Sequence, residues 1–323
     1  MRQSDLNNNT GKAEFKLIRN QRHVEQVWAI MEPAVSKYAE GFLNALANAG
    51  NSFSPQASYT LWLKKLITDN DQLHDKYHDI FDVEAFDEYE EDPDVFKGDV
   101  LRKQCPVIRH SLQSRAQVMQ EWKAKYYARR SIELVDAFRN IMFFAEDYDE
   151  EMDEAAMAEL NAVKDCRLSE MEDDDSEYGQ CYLSGVIGFG IVSNILNHMY
   201  PRTFPGEYKM GVWSFFFLAK GSKELMPSGT SEFAMLKDDH PNRVDVYEME
   251  HNFFLPYEVF CIYTLRIWRL LAARIQSRFG TQFPTDYRFL LTNSFYEYVA
   301  DENSANIATL AGNDDVLKFT TSW

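Results

Sequence analysis

A mainly α, multi-helical fold is what this sequence predicts, on three observations. Apolar residues recur at three- and four-residue steps through most of the chain. No stretch sustains the apolar–polar alternation of a half-buried strand. The best-formed segments open on helix-start residues and close on glycine. With 323 residues, 45% hydrophobic and 14% aromatic, the chain has enough apolar surface for one large or two ordinary domains, and too much for a disordered one.

Taken in order, residues 1–22 are a polar, Asn-rich lead-in. From His23 a helix is marked by Val24, Val27, Trp28, Met31, Val35, Tyr38, Phe42, Leu43 and Leu46. Pro33 should kink or split it, and Gly50 should stop it. Ser54-Pro55 reads as an N-cap followed by proline at the first helical position; the helix it starts carries Tyr59, Leu61, Trp62, Leu66 and Ile67. Residues 82–99 hold nine acids and one lysine, interleaved with Phe86, Tyr89 and Phe96. That mixture predicts an ordered acidic surface broken at Pro93. One long helix is expected over 111–144, with a stripe at Val118, Trp122, Tyr126, Ile132, Leu134, Val135, Phe138 and Met142.

Residues 146–177 contain fifteen acids and two bases. A short helix is expected over 155–163, then an acidic linker at 171–180. The longest apolar block follows, 181–219, and the C-terminal half is organised around it. It reads as a glycine turn (Gly185, Gly188, Gly190), a buried helix over 191–200, a corner at Pro201 and Pro205, and a second apolar segment over 209–218. Val244, Val246 and Tyr247 suggest a short strand. Residues 256–278 form a central helix ended by Gly280, and Pro284-Thr285-Asp286 introduces another with Phe289, Leu290, Leu291, Phe295, Tyr296 and Val299. The tail is polar apart from Val316, Leu317, Phe319 and Trp323. Two parts result: an acidic helical region at 23–170 and an aromatic-rich helical domain at 181–323.

The net charge of −18 is unevenly placed. Residues 1–180 hold 21 Lys and Arg against 36 Asp and Glu, a net −15; residues 181–323 hold 12 against 15, a net −3. Such a field repels nucleic acid and anionic lipid at long range and favours basic partners or cations. No signal peptide or membrane-spanning run is recognisable, and the four cysteines are scattered without a CxxC. Reduced thiols and a cytoplasmic location are therefore expected.

Five features bear on function. Ile187-Gly188-Phe189-Gly190, followed by a helix and by Phe204-Pro205-Gly206-Glu207, resembles the helix-hairpin-helix motif of DNA repair glycosylases. The resemblance implies that the amides of Gly188, Phe189 and Gly190 face a DNA phosphate, and that Glu207 stands where the family has an aspartate. The lysine that lyase-type members carry after the hairpin is absent, and Ser193 falls out of step with the family's usual alanine. A glycine turn that lets two helices pack closely is the plainer reading. His74 and His78 lie at i, i+4 as two zinc ligands do, with Asp71, Asp79 or Asp82 as third ligand; two exposed histidines is the plainer reading here. Glu207 and Lys209 spell the E-x-K of metal-dependent nucleases, whose other acids would come from Asp238, Asp239, Glu248 or Glu250 if 211–217 were a strand. The acidic runs could engage a basic surface, with Asp87, Glu88, Glu90, Glu91, Asp92 and Asp94 as contact residues. Arg266 and Arg269 are expected to pair with Glu250, Glu258 or Glu297 and fix helix register.

The sequence thus predicts a non-enzymatic acidic interaction protein with no cofactor. Its expected partner is a basic protein or a nucleic-acid-processing complex, by analogy one of bacterial defence or counter-defence, with a homo-oligomer as a further expectation. The competing class is a DNA-binding or DNA-acting protein that uses the 187–190 turn.

Overall fold

A computed structural model describes residues 16–49, 54–115, 118–172, 177–225, 235–237, 248–249 and 254–311. Expectations for residues 1–15, Gly50, 173–176 of the acidic linker, Asp238, Asp239, Glu250, the 244–247 strand and the 312–323 tail lie outside the described residues. The fold is mainly α. Its one sheet among the described residues is a two-residue antiparallel pair, β1 (Leu236–Lys237) and β2 (Glu248–Met249), with Leu236 opposite Met249.

Helix α1 (Gln21–Asn48) starts where the Asn20 side chain accepts the Arg22 amide. Its buried stripe is Val24, Val27, Met31, Val35, Ala39, Phe42, Leu43 and Leu46. Pro33 does not split it. The ring lies on the exposed side, where water can serve the carbonyl that loses its amide partner. Helix α2 (Pro55–Phe81) begins as its Ser-Pro signal predicts, with Ser54 Oγ accepting the Ala57 amide at 3.3 Å. Helix α3 (Ala85–Glu91) ends before Pro93, and Asp92 caps a single turn, Pro93–Val95, that runs into a nine-residue π-helix, Phe96–Gln104.

The expected long helix over 111–144 is three elements: α4 (Pro106–Gln113), α5 (Val118–Ala128) and α6 (Ser131–Glu151). The break between the last two is set by Arg130. Its backbone is extended (φ −66°, ψ 142°), and Glu133 reaches back to accept its amide at 3.1 Å. Helix α7 (Glu154–Glu159) follows, capped by Asp153. Two short 3₁₀ turns then lead to the central block.

That block folds nearly as read. Residues 183–187 close a turn through paired Leu183–Ile187 backbone bonds, with Gly185 in the left-handed region at φ +70°. Helix α8 (Phe189–Met199) is buried on almost every side; the corner follows, and α9 (Lys209–Ala219) is a helix, not a strand. Val212, Trp213, Phe215, Phe216 and Leu218 of α9 are all buried, each stabilising by about 1.5–3 kcal/mol before entropy is counted. Helix α10 (Phe254–Phe279) ends at Gly280, whose φ of +67° suits a C-terminal cap and whose amide returns to Gln276 at 3.0 Å. Helices α11 (Arg288–Glu302) and α12 (Ser304–Leu310) complete the described chain.

Packing follows from these faces. Helices α1 and α11 pack on α9, and Phe260 and Tyr263 of α10 meet its Phe215. Helix α2 leans on α1 and α10 on one side, and on α8, α6, α3 and the π-helix on the other. One continuous hydrophobic cluster therefore holds residues from both sides of 171–180. The arginines of α10 reinforce it, through partners other than those expected. Arg266 makes a two-pronged pair with Glu25 of α1 (3.0 and 2.7 Å). Arg269 donates to the carbonyls of Met157, Ala158 and Leu160. A cation there satisfies orphan carbonyls and the negative end of α7.

Candidate functional site

The glycine hairpin is buried at Val186–Phe189, with Ser184 and Gly185 exposed and Gly190 half-buried. Residues 177–188, which precede α8, contain no helix. Gly188 is buried, and Phe189 stacks on Tyr257 at 4.9 Å. Glu207 is also buried, at 2% exposure, with its amide on Ser193 Oγ (3.1 Å), and Lys209 opens α9. The strand that an E-x-K nuclease core requires is absent at 211–217, which is helical.

His74 and His78 lie on α2 with ring centroids 5.7 Å apart. Each has a carboxylate near its Nδ1, Asp75 at 3.6 Å and Asp82 at 3.7 Å, while Asp71 accepts from Tyr287 at 3.0 Å. Among the described residues no three His, Cys, Asp or Glu side chains are grouped to hold a metal ion. The face of α2 that turns inward meets α8 through polar groups. His198 stacks on Tyr77 (5.3 Å), its Nδ1 lies 3.1 Å from Asn70 Oδ1 and its Nε2 3.5 Å from the Tyr208 hydroxyl. Tyr77 donates to Asn194, and Tyr208 and Asn293 both donate to Asn197, each at 2.8 Å. Burial, then the nearby His74, pull the His198 pKa down to about 4. The imidazole is neutral at pH 7, and most of the network's groups are hydrogen-bonded to one another, with Asn293 Oδ1 left without a partner among the described residues.

An open concavity lies elsewhere, along α6. Asp136, Arg139, Asn140, Phe143 and Asp147 fall at i, i+3, i+4, i+7 and i+11, forming one stripe of that helix. With Glu90 from α3 and Glu177, Tyr178 and Gln180 from the opposite wall, they line a groove of about 690 Å³. Four carboxylates stand against a single arginine. The walls are held in place: Asn140 donates to the Gln180 carbonyl, Tyr178 to Asp147 (both 3.1 Å), and Tyr178 meets Phe144 edge-on. Partial desolvation, then the hydrogen bond to Asp147, push the Tyr178 hydroxyl up to about 12, so it remains a donor. Partial burial also raises the Asp136 carboxyl, against the pull of Arg130.

Arg139 shows what this surface accommodates. Its guanidinium donates to Glu90, lies 3.4 Å from Asp87, and sits over the Phe143 ring at 5.5 Å from the centroid. Carboxylates on one side and an aromatic face on the other are the surroundings a guanidinium selects. Of the six acids expected to contact a partner, Glu90 lines the groove and Asp87 borders it through Arg139. Glu88 and Glu91 are exposed on α3; Asp92 caps the 93–95 turn, and Asp94 accepts from Ser131 at 2.5 Å. Sequence reasoning missed Asp136, Arg139, Asn140 and Phe143. Their signal was a polar and aromatic stripe at helical spacing beside the apolar one.

Comparison with protein-family models, characterised proteins and solved structures yields no match.

Proposed function

We propose that this chain is a non-enzymatic interaction protein whose acidic groove, between α3, α6 and residues 177–180, receives an arginine-bearing segment of a basic protein partner. The observation that carries the reading is Arg139: the chain's own guanidinium already rests between Asp87, Glu90 and Phe143. The charge balance of the first 180 residues, net −15, adds long-range attraction for such a partner.

The probe is a fluorescein-labelled peptide of repeated Arg-Gly units, titrated by fluorescence anisotropy. The Asp87→Asn/Glu90→Gln/Asp147→Asn variant should bind it at least about ten-fold more weakly, with unchanged far-ultraviolet circular dichroism. Wild-type binding should also weaken steeply between about 50 and 500 mM NaCl. Equal affinity of variant and wild type would refute the groove. A labelled duplex DNA run alongside tests the competing class: binding abolished by Gly188→Asp would favour the hairpin amides instead.

A further inference from the structure

Residues 97–130 run against the charge of the rest of the chain. They carry nine Lys and Arg, plus His110, against two acids, Asp99 and Glu121. They also fold as one unit. The π-helix packs on α4 and α4 on α5, and Lys123 donates to the Ser114 carbonyl. Lys97 reaches the carbonyls of Tyr127 (2.9 Å) and Arg129 (2.5 Å). Several of the cations are engaged locally: Lys103 with Asp99, Lys125 with Glu121, and Arg129 and Arg130 with Glu133. Arg102, Arg109 and Arg115 are different. All three are exposed, and none has an ion pair among the described residues.

The basic unit adjoins the acidic surface. The Asp92-capped turn runs directly into the π-helix, α6 packs on both, and Ser131 at the end of the basic unit donates to Asp94. At this seam stand two of the four large hydrophobic side chains that the described chain exposes, Val95 (44%) and Tyr127 (54%). Lys97, two residues after Val95, holds the Tyr127 carbonyl at 2.9 Å and so links the two segments that carry them. A third, Phe143, lines the groove.

We infer that a second copy of this chain docks here about a two-fold axis near the Val95–Tyr127 seam. The α3 acids of each protomer face Arg102, Arg109 and Arg115 of the other. This rests on reading the acidic surface as a partner site; the arginines it receives then come from the basic unit of a second copy rather than from a basic protein. A long polyanion fits poorly, because charges spaced every ~1.7 Å along a duplex would run from the basic unit onto the neighbouring carboxylates. A surface with a negative half beside a positive half calls for a partner of the same pattern, and a two-fold axis pairs two such surfaces with both contacts made at once. The apolar seam then lies at the centre with charge around it, as in protein interfaces generally.

Sedimentation equilibrium of the full chain tests this. A dimer is expected at about 150 mM NaCl, where a Debye length of ~8 Å screens the repulsion between two chains of net −18 but not their close contacts, dissociating as NaCl rises to about 500 mM. The Arg102→Glu/Arg109→Glu/Arg115→Glu variant and the Glu88→Arg/Glu91→Arg variant should each be monomeric. The two mixed should form a heterodimer, since reversed charges then meet reversed charges. Substituting the same arginines by Gln should weaken the dimer at least about ten-fold, with circular dichroism unchanged. A monomer at every salt concentration, a dimer indifferent to these variants, or no rescue on mixing would overturn the inference. So would duplex DNA binding to a monomeric wild type and lost in the Arg→Glu variant. The Arg-Gly peptide keeps the two failures apart: if it still binds a monomeric wild type, the groove survives and only the second copy is excluded.

Discussion

His198 lies face to face with Tyr77, its ring nitrogens turned to Asn70 and Tyr208, and burial lowers its pKa to about 4. A histidine in the unfolded chain titrates near ~6.5, so the unfolded state takes up the proton first. The stability contributed by the neutral ring is complete above about pH 6.5 and is lost as pH falls toward 4, by about 3 kcal/mol in all. Urea unfolding of wild type and His198→Gln at pH 7 and pH 4.5 isolates this: the variant should lose less on acidification. Parallel losses would mean that carboxylates alone set the acid limit. Arg269 offers a second residue-scale test. It holds three carbonyls at the end of α7, so Arg269→Met should destabilise by roughly 1–3 kcal/mol, seen as a lower urea midpoint with unchanged slope.

Helix ends were the most legible elements, because capping is local chemistry. Ser54 starts α2 as its Ser-Pro pair predicts, and Ser54→Ala should cost about 1 kcal/mol in thermal unfolding. Gly280 stops α10 at positive φ, with open space where a Cβ would go. Gly280→Ala should therefore cost about 1–2 kcal/mol through backbone strain alone; no loss would show that the turn relaxes. The 181–219 block was read almost to the residue, since glycine, proline and a dense apolar run leave few other arrangements. The break at Arg130 was harder to see. Neither proline nor glycine marks it, and the Glu133 contact that stabilises it is a side chain reaching back to one amide. The π-helix at 96–104 was not legible, because wider turns draw on the same residues as α-helix.

On the scale of the whole molecule, what the sequence could not express was which acids converge. Counting charge placed the negative field in the first half, but Asp136 and Asp147 become neighbours of Glu90 and Glu177 only once α6 has packed against α3 and the 177–180 segment. The same long-range packing sent Arg266 to Glu25, 241 residues away, where sequence proximity pointed to nearer acids. The basic unit, contiguous at 97–130, was missed for another reason: its excess is swamped in any sum over 180 residues. Partner capture depends on the groove preferring a guanidinium to a neutral group of equal shape. The most direct measurement is the anisotropy titration repeated with a peptide in which every arginine is replaced by citrulline. A loss of at least about ten-fold in affinity is predicted; equal binding of the two peptides would contradict it.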